Sequence, residues 1–244
     1  MQATTPILIA DGLHKRFGAL VVLDGVSLSI GQGEALGIVG PNGAGKTTLL
    51  SVLSGAQPPN AGSIRFKDDD VTALSAPARC RRGLVRTHQI PRPFSGMTVF
   101  ENVYVAASQA GGASGNAAYD IATDALRQCD MLKVANRPAE TLGLLARKRL
   151  ELARALATRP ALLLLDEIGG GLTNAEASEL VETIRDLRRR GISIVWIEHI
   201  VQVLIQVAER LICMDAGKVI ADGKPEVVLR DAGVVAAYLG GVPA

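Results

Sequence analysis

The strongest chemical signal in the sequence is a short glycine-rich stretch that ends in a lysine and a threonine. Its residues are Gly40, Pro41, Asn42, Gly43, Ala44, Gly45, Lys46 and Thr47, followed by Thr48. This order matches the phosphate-binding pattern GxxxxGK[ST] at every fixed position. Glycines let successive backbone N–H groups turn toward a β-phosphate, and the start of a helix adds a positive dipole end. We therefore expect this stretch to bind the phosphates of ATP.

Two side chains in the stretch have distinct predicted roles. Lys46 can reach the β- and γ-phosphates as a point charge, and the hydroxyl of Thr47 is placed to ligate Mg²⁺. The surroundings suit this interpretation, because residues 35–39 predict a buried strand and residues 46–53 predict a helix that ends before Gly55. A chance glycine-rich turn, the competing interpretation, does not supply strand, lysine, threonine and helix together.

A second chemical element is a pair of carboxylates after an apolar run. Residues 162–165 are four leucines that predict a buried strand, and Asp166 and Glu167 follow directly. Asp166 is predicted to bind Mg²⁺, directly or through water, and Glu167 to polarise the attacking water as a general base. The alternative is an ordinary strand end with a capping aspartate, but the phosphate-binding stretch upstream favours the catalytic interpretation.

The rest of the chain predicts strands that alternate with helices, which indicates a mostly parallel sheet. Strands are predicted at 7–10, 20–30, 63–67, 84–88, 192–197, 210–214 and 218–221, and helices at 98–107, 117–133, 147–157, 174–190 and 200–208. Asn174 is the predicted N-cap of its helix, and Gly191 the residue that stops it. Residues 90–157 have a helical character that their flanks lack, so they predict a helical subdomain inserted into an α/β core.

The bulk composition argues against several classes of protein. Lysine and arginine number 26 against 24 aspartates and glutamates, so a net charge of +2 gives no case for a nucleic-acid partner. The three cysteines show no paired spacing, which favours reduced thiols in the cytoplasm. No run approaches the roughly 20 apolar residues that cross a bilayer. Work at a membrane is therefore expected to need another subunit.

Three further features narrow the class of ATP-binding protein. Gln89 follows a predicted strand, His199 follows the strand at 192–197, and an arginine-rich helix start at 147–156 precedes Asp166. Together with the phosphate-binding stretch and the carboxylate pair, this order resembles the ATPase domains of ABC transporters over essentially the whole chain. Within that family the sequence is similar to the cassettes of branched-chain amino acid importers. The similar stretches are Gly83–Gln89, Met97–Val103, Gly171–Thr173, Ile197–His199 and Ala237–Gly240.

The resemblance implies roles for three more side chains. Phe17 lies where the family places an aromatic ring that stacks on adenine, with a phenylalanine of the core as the competing interpretation. Gln89 matches the glutamine that contacts Mg²⁺ and the attacking water, and His199 matches the histidine that contacts the γ-phosphate. The implied catalytic set is Glu167, His199 and Gln89, and the implied metal set is Thr47, Gln89 and Asp166.

The resemblance also implies an architecture. We expect a single ABC ATPase domain over residues 1–244, with a P-loop NTPase core of α/β class and a mostly parallel sheet. An N-terminal antiparallel β region and an inserted helical subdomain complete it. Residues 1–89 and 158–244 are expected to form the nucleotide-binding core, and residues 90–157 the helical subdomain.

Activity, partners and location follow from the same resemblance. The chain is expected to hydrolyse ATP and so to power an importer of branched-chain or other hydrophobic amino acids. It is expected at the cytoplasmic face of the inner membrane, held there by integral-membrane permease subunits and paired with a second ABC ATPase subunit. A solute-binding protein is an indirect partner. The alternatives are an ABC ATPase for another solute, such as urea or exported lipopolysaccharide, and a regulatory module that binds ATP with little turnover.

The sequence departs from the family at the signature LSGGQ, which should precede the helix at 147–157. Leu142–Ala146 stands there instead, with Gly143 in place of the serine and Leu145 in place of a glycine. In the family these groups hold the γ-phosphate bound to the opposite subunit, and loss of a charge-assisted hydrogen bond costs about 1.5–3 kcal/mol. We therefore expect a heterodimer whose partner has an intact signature. A homodimer, the alternative, carries the defect in both sites.

Overall fold

Strands and helices alternate along most of the chain in a computed structural model, which describes residues 5–239. The strands of this part are β1 (Pro6–Phe17), β2 (Leu20–Gly31), β3 (Ala35–Val39), β4 (Ala61–Phe66), β5 (Asp69–Asp70), β6 (Leu84–Arg86), β7 (Leu162–Asp166), β8 (Ser193–Ile197), β9 (Arg210–Asp215) and β10 (Lys218–Gly223). Its α-helices are α1 (Lys46–Leu53), α2 (Ala76–Arg81), α3 (Val99–Val105), α4 (Gly115–Gln128), α5 (Leu144–Ala157), α6 (Asn174–Arg189), α7 (Val201–Leu204), α8 (Pro225–Val228) and α9 (Ala232–Leu239).

The N-terminal strands form an antiparallel sheet. β1 pairs with β2 from Pro6 opposite Gly31 to Phe17 opposite Leu20, and β4 pairs antiparallel with the other edge of β1. The strand order is β2-β1-β4-β5. Leu8 on β1 and the other inward side chains are buried, because one face of this sheet packs on the rest of the protein. The expected N-terminal antiparallel region is confirmed.

A second sheet forms the centre of the molecule, with the strand order β10-β9-β3-β8-β7-β6. Strands β9, β3, β8, β7 and β6 run parallel to their neighbours, and β10 runs antiparallel to β9. Every residue of β3, β7 and β8 is buried. Burial on both faces explains why these strands read as continuous apolar runs in the sequence. The predicted mostly parallel sheet is confirmed.

The two faces of the central sheet contribute to different parts of the core, because successive side chains of a strand point to opposite faces. Leu36 and Ile38 of β3 belong to a cluster with α1 and the N-terminal sheet. Ala35 and Val39 of the same strand belong to a cluster with helices α3–α6. The helices that lie between β6 and β7 in the chain therefore share their core with one face of the sheet.

Several predicted helix boundaries need correction. The helix predicted at 98–107 continues past α3 as a π-helical turn over Ala106–Ala110. Asn174 is not an N-cap, because Thr173 takes that position. The Thr173 hydroxyl accepts a hydrogen bond from the Glu176 amide (3.3 Å), and the Glu176 carboxylate accepts one from the Thr173 amide (2.8 Å). This reciprocal pair is a capping box.

Other differences concern short elements. The helix predicted at 200–208 is confined to α7, and strand β5 and helices α2, α8 and α9 were not predicted. Gly191 does end α6, in a left-handed conformation with φ of 87°. Across residues 5–239, no helix combines the length and the apolar character needed to cross a membrane.

One buried cation fixes the end of the helix that follows the phosphate-binding loop. Arg79 of α2 is 0% exposed, and its guanidinium donates to the carbonyls of Val52 (2.8 Å), Leu53 (2.7 Å), Thr72 (2.9 Å) and Leu74 (3.1 Å). The last carbonyls of a helix have no N–H donor within the helix, and a cation placed there complements the helix dipole. Burial lowers the pKa of Arg79. Arg79 therefore joins the end of α1 to the segment after β5.

We expect Arg79→Lys to lower the free energy of unfolding by about 1–3 kcal/mol, because one ammonium group cannot satisfy four carbonyls that lie apart. Urea denaturation of the purified chain measures the change. Arg81→Lys, on the exposed side of the same helix, is the matched control and should stay within about 0.5 kcal/mol of wild type. Equal losses for the two variants would contradict the proposed role of Arg79.

Candidate functional site

The phosphate-binding loop joins β3 to α1 through backbone that glycine adopts most easily. Gly43 and Gly45 have φ values of 81° and 98°, in the left-handed region. A Cβ on Gly40 would lie 2.0 Å from the Met214 carbonyl oxygen, and one on Gly45 would lie 2.6 Å from that of Val22. At Gly43, no described atom lies within 4 Å of such a Cβ. The loop is thus packed against protein on one side and open on the other.

On the open side, the loop and three residues from other parts of the chain line a cavity of about 190 Å³. Its lining residues are Val22, Asn42, Gly43, Ala44, Gly45, Lys46, Thr47, Thr48, Glu167 and His199. The first amide groups of a helix have no acceptor within it, and no side chain of residues 5–239 caps the start of α1. These donors and the positive helix end suit an anionic phosphate.

The lysine of the loop is held by backbone oxygens. Lys46 Nζ donates to the carbonyls of Gly40 (2.7 Å) and Pro41 (2.8 Å). Burial lowers the pKa of Lys46, and the negative charges of Glu167 and Asp166 oppose that effect. Gly40 and Pro41 are predicted nucleotide-binding residues. In the structure their carbonyls contact the lysine, and neither residue is among those that line the cavity.

Glu167 brings the three predicted catalytic residues together. It follows β7 with φ of 48°, a conformation that is uncommon outside glycine and concentrates at functional sites. Its carboxylate accepts a hydrogen bond from Gln89 Nε2, and its other oxygen lies 2.8 Å from His199 Nε2. Its amide donates to the Ile197 carbonyl (3.0 Å), which anchors the turn to β8. A carboxylate at the cavity mouth is thus held from two sides.

Asp166 is not among the residues that line the cavity, and its side chain is only 2% exposed. Its Oδ2 accepts a hydrogen bond from Arg86 Nη2 at 2.6 Å, whereas its buried Oδ1 has no partner within residues 5–239. Buried polar atoms nearly always have a partner, so a free oxygen here fits a metal ion or its bound water. Mg²⁺ commonly uses one or two carboxylates together with substrate phosphates. The described residues contain no cluster of three or more His, Cys, Asp or Glu side chains that could hold a metal ion by themselves.

Phe17 lies at the end of β1 and is not among the residues that line the cavity. Its side chain is 48% exposed, which excludes the interpretation as a core phenylalanine. The ammonium of Lys15 lies 5.0 Å from the centroid of its ring, within the range of a cation–π contact. Stacking on adenine stays a prediction.

Glu198 lies in the similar stretch Ile197–His199, but the sequence gave it no role of its own. Its Oε1 accepts hydrogen bonds from the Gly169 amide (2.6 Å) and from Trp196 Nε1 (3.2 Å). Burial raises the pKa of Glu198, and these hydrogen bonds and the nearby charge of Lys148 oppose the rise. Because Gly169 lies in the loop after Glu167, Glu198 ties that loop to β8. Its signals in the sequence were its place in that stretch and its acidic type at the end of an apolar strand.

The C-terminal helix reaches the phosphate-binding loop. The hydroxyl of Tyr238, on α9, accepts a hydrogen bond from the Gly40 amide at 2.9 Å. Burial raises the pKa of Tyr238, and this hydrogen bond opposes the rise. Sequence similarity had marked Ala237–Gly240 without a role, and Gly240 lies outside the described residues.

The divergent signature region starts α5. Gly143 is the N-cap of α5, and no side chain of the described residues makes a capping hydrogen bond there. Leu144 is 45% exposed and Leu145 is half-buried. A Cβ on Gly171 would lie 3.2 Å from Leu144 Cδ2, so the leucine lies against the loop that follows Glu167. Leucine side chains therefore occupy the start of this helix.

A loop of this geometry between a parallel strand and a helix, with two carboxylates at the end of β7, defines a P-loop nucleotide-binding protein. Comparison with known proteins narrows this class. The family model described as ABC transporter matches residues 23–169, and the model described as branched-chain amino acid ATP-binding cassette transporter matches residues 218–244.

Individual relatives agree with the family matches. The high-affinity branched-chain amino acid transport ATP-binding protein BraF of Pseudomonas aeruginosa is 34% identical, over 96% of this chain and 98% of its own. The corresponding protein LivG of Escherichia coli is 36% identical over the same shares. The solved ADP conformation of MJ1267, an ATP-binding cassette of an ABC transporter, superposes with a TM-score of 0.87 at 30% identity, over 97% of this chain and all of that one. The chain therefore belongs to the ABC transporter family, as an ATP-binding and ATP-hydrolysing subunit.

We expect Tyr238→Phe to leave the Gly40 amide without its acceptor while the aromatic packing remains. Hydrogen exchange at the Gly40 amide should quicken, and the free energy of unfolding should fall by about 1 kcal/mol. Exchange is followed by NMR, with Tyr119→Phe, another exposed tyrosine, as the control. Unchanged exchange at Gly40 in Tyr238→Phe would show that the hydrogen bond does not persist in solution.

Proposed function

We propose that the chain powers the import of branched-chain or other hydrophobic amino acids by coupling ATP hydrolysis to an integral-membrane permease. The observation that carries the hydrolytic part is the contact of Gln89 and His199 with the Glu167 carboxylate, at the mouth of the phosphate-binding cavity. The solute class is supported by the family match at 218–244 and by the printed functions of the relatives.

Two alternatives are less well supported. An ABC ATPase for another solute, such as urea or exported lipopolysaccharide, is favoured less by identity, since the lipopolysaccharide export protein LptB of Haemophilus influenzae is 32% identical against 34% for BraF and 36% for LivG. A regulatory module with little turnover needs only ATP binding, yet the chain has Lys46, Asp166 and Glu167, and both carboxylates lie near enough to Lys46 for their charges to raise its pKa. We therefore favour a working transport ATPase.

In the proposed site, different residues bind the phosphates, the Mg²⁺ ion and the adenine of ATP. The open amides at the start of α1 and the ammonium of Lys46 hold the phosphate oxygens. The Thr47 hydroxyl, the free Oδ1 of Asp166 and the Gln89 amide side chain would hold Mg²⁺. When bound, the metal neutralises charge that develops on the β- and γ-phosphates. Phe17 is proposed to stack on the adenine.

Glu167 is proposed as the general base. Its carboxylate already lies at the cavity, held between Gln89 and His199, so it can orient a water molecule for in-line attack and accept its proton. His199, which also lines the cavity, is proposed to contact the γ-phosphate. Positioning and electrostatic stabilisation supply most of the rate enhancement in reactions of this type.

We propose that residues 90–157 form the helical subdomain and that residues 1–89 and 158–244 form the nucleotide-binding core. Contacts at the junction support a mechanical link. The His88 amide donates to Glu151 of α5 at 3.2 Å across the junction, and within the subdomain the guanidinium of Arg154 lies 4.8 Å from the ring centroid of Phe94. A movement of Gln89 toward bound nucleotide would therefore be transmitted to α5 and on to the permease.

The proposed partners follow from the same assignment. The chain would lie at the cytoplasmic face of the inner membrane, bound to permease subunits, with a solute-binding protein as an indirect partner. A second ABC ATPase subunit would complete the dimer. The leucines at 144 and 145 support a heterodimer, because they replace the small groups that approach the phosphate held by the opposite subunit.

We expect Glu167→Gln to lower the rate of ATP hydrolysis at least 100-fold and to leave ATP affinity within a few-fold of wild type, because the amide can no longer accept the proton. Hydrolysis is measured for the chain with its partner cassette and permease, with Glu226→Gln on the exposed start of α8 as control. Tight ATP binding by wild type without turnover in any assembly would favour the regulatory module.

We expect the double substitution Gly143→Ser and Leu145→Gly to raise ATP-dependent dimerisation and hydrolysis by the chain alone about tenfold or more. A restored hydrogen bond to phosphate contributes about 1.5–3 kcal/mol, and about 1.4 kcal/mol corresponds to tenfold. Light scattering and an ATPase assay measure the two effects, and a further Lys46→Ala substitution should abolish both. Wild type that dimerises and hydrolyses ATP alone as rapidly as the double variant would contradict the heterodimer.

A further inference from the structure

Arg86 makes a contact that none of the functional motifs explains. It ends β6, its side chain is 14% exposed, and its Nη2 donates to Asp166 Oδ2 at 2.6 Å. Its Nη1 donates to Ser51 Oγ on α1 at 2.8 Å. One guanidinium group therefore joins three elements of the site, since β6, β7 and α1 are separate segments of the chain.

The contact continues to the second proposed metal ligand. Ser51 Oγ donates to the carbonyl of Thr47 at 2.7 Å, so a chain of hydrogen bonds runs from Asp166 through Arg86 and Ser51 to Thr47. Asp166, at the end of β7, and Thr47, at the start of α1, are two of the three residues proposed to hold Mg²⁺. Arg86 thus sets the spacing between the elements that carry them.

The same contact decides which carboxylate oxygen stays available. With Oδ2 bound by the guanidinium, the buried Oδ1 is the free one within residues 5–239. The rigid, planar fork of an arginine can bind a carboxylate and a hydroxyl at once in fixed directions, which a lysine ammonium cannot do as well. The orientation of a ligating carboxylate depends on such neighbours, whose loss commonly costs about 10–100-fold in metal affinity.

We propose that Arg86 is a positioning residue for Mg²⁺ in the nucleotide complex, which it serves by holding Asp166 so that Oδ1 is presented to the metal. This inference rests on the proposed role of Asp166 as a magnesium ligand. Arg86 touches neither nucleotide nor metal in this assignment and acts through Asp166 and Ser51.

The test measures ADP affinity by calorimetry in EDTA and in saturating Mg²⁺, and ADP is used because it does not turn over. The readout is the ratio of the two dissociation constants. Arg86→Gln should lower the Mg²⁺-dependent gain about tenfold and leave the affinity in EDTA within about twofold of wild type. Arg86→Lys should restore part of the gain. Ser51→Ala, which keeps the ion pair and so guards against a folding defect, should show a smaller loss.

The controls separate the possible failures. Arg82→Gln, an exposed arginine at the end of α2, should leave the ratio unchanged. In one outcome, the Mg²⁺-dependent gain in ADP affinity is lost in Asp166→Asn and yet equals the wild-type gain in folded Arg86→Gln. In that case the inference about Arg86 is wrong and the magnesium assignment stands. A higher Mg²⁺ affinity in Arg86→Gln would also overturn it, because Arg86 would then act only as a competing cation. If wild type shows no Mg²⁺-dependent gain, the assignment of Asp166 fails and the inference fails with it.

Discussion

The parallel pairing of β3 with β8 and of β8 with β7 is the constraint on which the whole site depends. In a parallel sheet the carboxyl ends of the strands meet at one edge, so the loop after β3, the carboxylates at the end of β7 and the histidine after β8 must come together. The pairing itself depends on burial of every residue in these strands. The apolar runs of the sequence therefore determine the position of polar groups that they do not contain.

This constraint explains how much the sequence alone could predict. The phosphate-binding stretch, the Asp166–Glu167 pair and the alternation of strands and helices were each local patterns; the alternation is confirmed, and residues 42–48 line one cavity with Glu167. Residues that act across long separations were not predictable in this way. Arg79 lies outside every similar stretch, and the stretches that contain Glu198 and Tyr238 gave these side chains no role, because their roles depend on carbonyl or amide groups brought near by folding.

The sequence did not predict the short helices correctly, for a different reason. A helix of four to six residues, such as α2 or α7, is too short to show a 3.6-residue apolar period, so tertiary contacts decide its form. The misplaced cap of α6 is similar, since Thr173 and Asn174 are both good capping residues by type. The reciprocal contact with Glu176 selects Thr173, and only the three-residue spacing to that glutamate could have revealed it.

The position of β3 in the middle of the sheet has a consequence for the order of events during synthesis. Both of its neighbours, β8 and β9, come from the last quarter of the chain, and the Gly40 amide finds its acceptor in Tyr238. A nascent chain that has only reached α5 therefore contains β3 and the whole phosphate-binding stretch, but it lacks β8 and β9, the two strands that pair with β3. Contacts of such long sequence separation form late and slowly. The strands that pair with β3, and so hold the phosphate-binding loop in place, are therefore complete only after residues 193–215 have been synthesised.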